Sequence, residues 1–175
     1  LNRAIVAQNA ETIAKIAGID VPAGTAVLMA EENGAGLDHP FAGEKLSPVS
    51  GVQKAKDLDD AIDKMMACLE YQGKGHSCGI HTNDVEDVNK LAAVAPVTKC
   101  VVNQPQCLTN SGGWDCGFPV SMTLGCGTWG GNSVSHNATW KDLLNFTYVS
   151  RQIPNWKPDK AEDFIDADVI AKVDA

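Results

Sequence analysis

The stretch that decides the fold is residues 57–103, which read DLDDAIDKMMACLEYQGKGHSCGIHTNDVEDVNKLAAVAPVTKCVVN. Apolar side chains recur there at the i, i+3, i+4, i+7 spacing of one buried helix face, which predicts a helix from Asp57 to Tyr71 that Gly73 ends. Residues 76–82 and 99–103 are predicted strands, and a helix capped by Asn83 or Asp84 is predicted between them. Strands that alternate with helices predict an α/β fold with a mostly parallel sheet and helices on both faces.

The flanking segments extend this alternation. A short helix is predicted over residues 10–17, and strands are predicted over residues 25–30 and 48–54, on either side of a glycine-rich loop. After Asn103 the pattern changes, because residues 104–137 carry seven glycines and no helix signal. Long segments of this kind tend to line ligand sites. A final helix is predicted near residues 140–146, and the tail from Pro154 either docks as a short helix or frays.

Composition excludes several classes of protein. The 175 residues carry 14 basic and 22 acidic side chains, a formal charge of −8, which argues against nucleic-acid binding. The longest apolar runs are far shorter than a membrane span, so no membrane partner is expected. Six irregularly spaced cysteines indicate reduced thiols and a cytoplasmic protein. Because the sequence begins at Leu1 without a signal peptide, we expect an excised piece of a longer protein.

Glu44 is the first residue that could carry chemistry. It follows the glycine-rich loop and begins the stretch EKLSP at residues 44–48. A carboxylate at such a junction can accept two hydrogen bonds from a ribose diol. The alternative is an ordinary surface glutamate beside a surface lysine.

His76 lies in a second candidate stretch, GKGHSCGIHT at residues 73–82. Glycines on both sides allow the backbone to approach a ligand closely, and histidine titrates near neutral pH. The spacing does not suit zinc, since a strand would place His76 and Cys78 on one face and His81 on the other. A structural histidine and a catalytic one both remain possible.

Cys126 lies in the third stretch, TLGCGTWGGNS at residues 123–133. Its glycines indicate positive φ angles or very close backbone contacts. The stretch does not match a phosphate-binding loop. Cys126 is either an exposed nucleophile or a small buried side chain.

Four separated stretches together resemble CoA-acylating aldehyde dehydrogenases. They are LNRAIV at 1–6, HPFAGEKLSP at 39–48, GHS at 75–77 and LGCGTWGGNS at 124–133. The resemblance covers residues 1–153 and extends to the aldehyde dehydrogenase half of bifunctional aldehyde/alcohol dehydrogenases and to acylating succinate-semialdehyde and sulfoacetaldehyde dehydrogenases. It implies that residues 1–153 are the C-terminal part of a catalytic domain, with residues 154–175 as a tail. The nucleotide-binding domain and the segment with the family's nucleophilic cysteine would lie outside the chain.

The resemblance also implies a role for individual residues. In this family a cysteine thiolate attacks the aldehyde, a hydride passes to NAD(P), and CoA releases the acyl group as a thioester. Glu44 matches the glutamate that holds the nicotinamide ribose, and Leu46 matches the side chain beside the nicotinamide. His76 matches a histidine near the nucleophile, either a base for the CoA thiol or a partner for the thioester oxygen. The loop that closes over the acyl group is matched by Gly125, Cys126, Gly127 and Thr128.

The expected cofactor is therefore NAD or NADP, with CoA as co-substrate. The expected partners are a small aldehyde, the remainder of the same chain and further copies in a homo-oligomer. The isolated chain is expected to be inactive, since none of its cysteines lies in the family's nucleophile motif. The sequence departs from the family at His136, where an acidic residue is common, and residues 104–110 lean towards the succinate-semialdehyde and sulfoacetaldehyde branch. Two other hypotheses are a non-catalytic assembly domain and a Cys/His metal-binding domain.

Overall fold

The computed structural model describes residues 2–155 together with residues 157, 160, 165 and 169. The chain divides into two compact units, residues 1–143 and residues 144–175. In the second unit, residues 144–153 form neither helix nor strand. The docking helix expected in the tail falls largely outside the described residues, and the domain boundary expected after residue 153 stays a prediction. No helix in the described part of the chain is long and apolar enough to cross a membrane.

Helices α1 (Ala10–Ala17), α2 (Leu58–Tyr71) and α3 (Val85–Val94) confirm the three predicted helices in this part of the chain. Each begins at a side chain that accepts a backbone hydrogen bond, which satisfies one of the free N–H groups of the first turn. The caps are Asn9, Asp57 and Asp84. Helix α1 ends at Gly18 in the left-handed conformation, as the sequence predicts.

Four strands form two separate parallel pairs. Strand β1 (Leu28–Glu31) pairs with β2 (Val49–Val52), and β3 (Gly75–Ile80) pairs with β4 (Val97–Val102). The α/β class and the parallel pairing are confirmed, and the described strands make two two-stranded sheets rather than one continuous sheet. Strand β1 is shorter than predicted, since Val27 and the residues before it lie outside the ladder.

Residues 103–143 contain more helix than the sequence predicts. Helix α4 (Gln106–Thr109) is a single turn, and 3₁₀ helices span Thr128–Gly130 and Trp140–Leu143. The helix predicted near residues 140–146 is therefore wrong beyond Leu143. Leu144 and Phe146 are exposed by 50% and 57%, so packing among the described residues adds little to stabilise further helical turns there.

The core lies where α2 and α3 pack on the β3–β4 pair. Its buried members are Ile62 of α2, Cys78 of β3, and Leu91 and Ala95 at the end of α3. Burial first, and then the adjacent Cys100, raise the pKa of the Cys78 thiol to about 12. All six cysteines are free thiols.

A buried carboxylate organises the loop after β1. Glu32 is 9% exposed, and its Oε1 lies 2.7 Å from Nδ1 of His39 and 2.9 Å from the backbone N of Asn33. The Asn33 N–H, followed by His39, lowers the pKa of Glu32 below its ordinary value, because both favour the charged carboxylate. The pair ties the start of the glycine-rich loop to its end.

The cap of α2 gives a direct test of local stability. The backbone N–H of Asp60 donates to Oδ1 of Asp57 at 2.8 Å. Replacing Asp57 with Ala removes this acceptor and is expected to lower the free energy of unfolding by about 1 kcal/mol. Urea unfolding followed by circular dichroism measures the change. Asp63→Ala, at an exposed position within the same helix, is the control and is expected to leave stability unchanged or slightly higher. Equal losses in the two variants would contradict the capping role.

The Glu32 carboxylate gives a pH-dependent prediction. Because its pKa is lowered in the folded chain, its contribution to stability is present above the ordinary carboxyl pKa and is lost as pH falls through the folded value. Urea midpoints measured from about pH 6 down to about pH 3 should therefore fall less steeply for Glu32→Gln than for the unaltered chain. Parallel pH profiles for the two proteins would refute the assignment.

Candidate active site

Four segments meet at a cleft of about 730 Å³. The loop after the first 3₁₀ turn (Pro40–Ala42), the end of α2, the start of β3 together with α4, and the glycine-rich segment after residue 124 each supply part of its wall. Glu44, His76 and Cys126 all line this cleft. The structure thus brings together three residues that the sequence separates widely.

Close backbone contact places the glycine-rich segment against the start of β3. Gly75 has a φ of +92°, and a Cβ built on it would lie 2.6 Å from both the Cys126 carbonyl oxygen and the Gly130 nitrogen. Any side chain at this position would therefore displace the segment. Because Gly75 has none, His76 lies beside Cys126 in the cleft wall.

Strand β4 holds the same segment from behind. The Thr98 hydroxyl donates to the Gly125 carbonyl oxygen at 3.0 Å, and Nζ of Lys99 donates to that oxygen at 3.3 Å. Lys99 is only 4% exposed, and burial lowers its pKa, an effect that the neighbouring Cys126 opposes. A buried cation thus holds the backbone immediately before Cys126.

The Glu44 carboxylate is free to meet a ligand. The backbone N–H of Glu44 donates to Oε1 of Gln72 at 2.7 Å, which holds the main chain against the end of α2. No described cation pairs with its exposed side chain. The adjacent Lys45 instead directs Nζ to the carbonyl oxygens of Phe41 and Gly43, at 2.8 and 2.6 Å, and burial lowers its pKa.

His76 is exposed, and one ring nitrogen is engaged. Its Nδ1 lies 2.8 Å from Oγ of Ser77. That hydroxyl also accepts hydrogen bonds from Nε2 of Gln106 at 2.8 Å and from Nδ2 of Asn110 at 2.9 Å. Gln106 begins α4 and Asn110 directly follows it, so the two amides, four residues apart, both reach β3. This group of side chains is not predictable from the sequence, because a four-residue helix leaves no periodic signal.

No family model matches the chain. Curated relatives do match: it is 39% identical over 157 residues to sulfoacetaldehyde dehydrogenase (acylating) of Cupriavidus necator, covering 89% of the chain and 32% of that protein. It is 37% identical over 149 residues to succinate-semialdehyde dehydrogenase (acetylating) of Clostridium kluyveri, covering 85% of the chain and 33% of that protein. Among solved structures, a probable aldehyde dehydrogenase from Listeria monocytogenes matches with a TM-score of 0.83 and 33% identity, over 94% of the chain and 35% of that protein.

The chain is homologous to the acylating aldehyde dehydrogenases. It spans about one third of the length of the relatives it matches. The acetylating aldehyde dehydrogenase of Geobacillus thermoglucosidasius agrees, with a TM-score of 0.78 and 34% identity over 89% of the chain and 35% of that protein. The resemblance carried by the four sequence motifs is therefore confirmed, as is the fold class.

Four predicted site residues of this acylating dehydrogenase homologue do not line the cleft: Leu46, Gly125, Gly127 and Thr128. Leu46 has a φ of +50° and lines a neighbouring cavity of about 540 Å³, which Glu44 also borders. Gly125 and Gly127 are buried behind the wall, and Thr128 is exposed at the start of a 3₁₀ turn. These residues shape the segment that carries Cys126, and their roles in binding stay predictions.

His136 takes part in a separate contact. Its Nε2 lies 2.8 Å from Oδ1 of Asp142, whose pKa is lowered first by the Thr139 backbone N–H and then by His136. Across the described residues, no group of three or more His, Cys, Asp or Glu side chains is arranged to hold a metal ion.

The docking of the glycine-rich segment is testable with a matched pair of variants. Gly73→Ala and Gly75→Ala both place alanine at a positive φ, which costs about 1–3 kcal/mol of backbone strain. At Gly73 the nearest atom to the new Cβ is a flexible Leu69 methyl carbon at 3.7 Å, whereas at Gly75 backbone atoms lie 2.6 Å away. Gly75→Ala is therefore expected to lower the free energy of unfolding, measured with urea, by ~1–3 kcal/mol more than Gly73→Ala does. Equal losses would show that the segment does not depend on this close approach.

Proposed function

We propose that the chain is the C-terminal part of the catalytic domain of an NAD(P)-dependent enzyme that converts an aldehyde and CoA into an acyl-CoA, reversibly. The observation that carries this proposal is the shared cleft of Glu44, His76 and Cys126 in a chain whose relatives are acylating aldehyde dehydrogenases. Three residues distant in sequence, matched to cofactor binding, to acyl transfer and to the loop over the acyl group, border the same space.

The Glu44 carboxylate, a hydrogen-bond acceptor, fits the ribose diol of a nicotinamide cofactor. The Glu44 carboxylate is exposed and free of a described cation, so its two oxygens are available to a pair of hydroxyl groups. The bond from the Glu44 N–H to Gln72 holds the backbone, which limits the entropy lost when the side chain binds. A nicotinamide cofactor held here by Glu44 would supply the acceptor for a hydride from the substrate carbon. Leu46, which borders the adjoining cavity, would pack beside the nicotinamide.

His76 and the segment from Gly125 to Thr128 would serve the acyl group. The imidazole is exposed, lines the cleft and has Nδ1 engaged by Ser77, which leaves Nε2 as the ring nitrogen for a ligand. From that position it acts either as a base towards the CoA thiol or as a donor to the thioester oxygen. The segment around Cys126 would close over the acyl chain, held by Thr98 and Lys99.

The nucleophile would come from outside this chain. Cys78 is buried, and Cys126 and Cys107, although they line the cleft, lie outside the family's nucleophile motif. The remainder of the same protein would supply both the reactive cysteine and the nucleotide-binding domain. The free thiols are in keeping with a cytoplasmic enzyme. As the resemblance implies, it would act as a homo-oligomer on a small aldehyde.

The cofactor role is tested in the full-length protein that carries this chain. Glu44→Gln is expected to raise the KM for NAD(P) about tenfold, since a hydrogen bond to a charged group contributes about 1.5–3 kcal/mol, and to change the aldehyde KM less. Steady-state absorbance of NAD(P)H gives both constants. The control is Glu31→Gln, at an exposed glutamate that pairs with Lys54 away from the cleft. If the full-length protein oxidises the aldehyde equally fast without CoA, as followed by NAD(P)H absorbance, the acylating assignment is disproved.

The 175-residue chain on its own should not turn over aldehyde, CoA and NAD(P), because covalent catalysis requires a thiolate that it does not supply. NAD(P)H production by the purified chain, followed by absorbance, checks this. Measurable turnover that disappears in Cys126→Ala would contradict it and make Cys126 the nucleophile. Self-association by light scattering, with no effect of NAD or CoA on the chain, would favour an assembly domain instead.

A further inference from the structure

Ser77 is the centre of a hydrogen-bond group that controls one ring nitrogen of His76. Its Oγ lies within 2.9 Å of three nitrogen atoms: Nδ1 of His76, Nε2 of Gln106 and Nδ2 of Asn110. Asn110 is 7% exposed, and Gln106 and Ser77 are partly buried. Bulk water therefore does not replace these contacts freely.

The number of available hydrogens assigns each bond its direction. A serine hydroxyl has one hydrogen and two lone pairs, and an amide NH₂ group can only donate. The amides of Gln106 and Asn110 fill both lone pairs of the Ser77 oxygen. The hydroxyl hydrogen is then left for Nδ1 of His76, which must accept it.

We infer that Ser77 is a positioning residue that fixes the neutral His76 ring in the tautomer with its proton on Nε2. Which nitrogen of a histidine carries the proton is set by the hydrogen bond that the other nitrogen makes. Gln106 and Asn110 act through Ser77, since they prevent its oxygen from accepting a hydrogen from Nδ1. The nitrogen left for the cleft is an N–H donor.

This assignment rests on the proposed function for its chemical consequence, and there it distinguishes the two roles open to His76. A ring with its proton on Nε2 has no lone pair on that nitrogen, so it does not take a proton from the CoA thiol there. It donates instead to an oxygen atom in the cleft. A donor placed where negative charge develops on a carbonyl oxygen stabilises the transition state of acyl transfer.

The tautomer is measured directly by ¹⁵N NMR of the 175-residue chain, with the His76 resonances identified by their loss in His76→Gln. We expect Nε2 to resonate as a protonated nitrogen and Nδ1 as an unprotonated one. In Ser77→Ala the two resonances should move towards each other as the tautomers exchange, and Ser77→Thr, which keeps the hydroxyl, should restore their separation. A proton on Nδ1 in the unaltered chain would overturn the inference and mean that the Asn110 amide is reversed.

A second variant tests the role of the amides without removing the hydroxyl. Gln106→Glu replaces a donor to Ser77 with an acceptor of nearly the same shape, so the carboxylate takes the hydroxyl hydrogen and frees a lone pair for Nδ1–H. The ring proton is expected to shift from Nε2 to Nδ1. Gln104→Glu is the matched control, because the Gln104 side chain already accepts, from the Thr109 hydroxyl at 3.3 Å. An unchanged His76 spectrum in Gln106→Glu would overturn the proposed direction of the bonds.

Kinetics of the full-length protein separate failure of this inference from failure of the proposed function. Ser77→Ala should lower kcat at least ~10-fold with the KM for NAD(P) unchanged, a part of the ~10²–10⁴ that a positioned proton donor contributes, and Ser77→Thr should recover most of it. A tautomer shift without a kcat effect would contradict the donor role of His76. Absence of CoA-dependent activity in the unaltered protein would defeat the proposed function, while the NMR result would still decide the tautomer.

Discussion

The close approach of Gly75 to the backbone of Cys126 and Gly130 is the contact on which the cleft depends. It joins the start of β3 to a segment that has little regular structure of its own and places His76 beside Cys126. The bonds from Thr98 and Lys99 to the Gly125 carbonyl hold the segment in that position. The site is thus built on main-chain atoms, and side chains on neighbouring elements adjust its chemistry.

The helices were predictable because their sequence patterns lie within each helix. The cleft was only partly predictable because it depends on contacts between distant segments. An apolar stripe together with a capping side chain identifies α2 within its own sequence, and Gly18 marks the end of α1 in the same way. The first and last residues of β1 depend on which residues pair with β2, and no pattern within the β1 sequence specifies that pairing. The glycines around Cys126 signalled close contacts without indicating that Gly75 was the partner.

Long-range polar contacts escaped the sequence analysis entirely. Asn137 is 1% exposed, and its Nδ2 donates to the carbonyl oxygens of Asn110 and Pro119, which fastens the long loop to the end of α4. The Ser77 group likewise joins residues from β3 and α4. Among the described residues each strand pairs with only one other strand, and Met29 of β1 is 73% exposed. Because parallel sheets are usually covered on both faces, this exposure is in keeping with a chain that spans about one third of its relatives' length.

The buried thiol of Cys78 has a consequence for the aldehyde chemistry proposed for the cleft. It lies two residues from His76 in the same strand, and its pKa of about 12 leaves almost no thiolate at neutral pH. Since the thiolate is the form that adds to carbonyl carbon, this sulfur would not compete for the aldehyde of the proposed reaction or trap it as an unproductive adduct. Desolvation by the core therefore gives the fold chemical selectivity among its own cysteines.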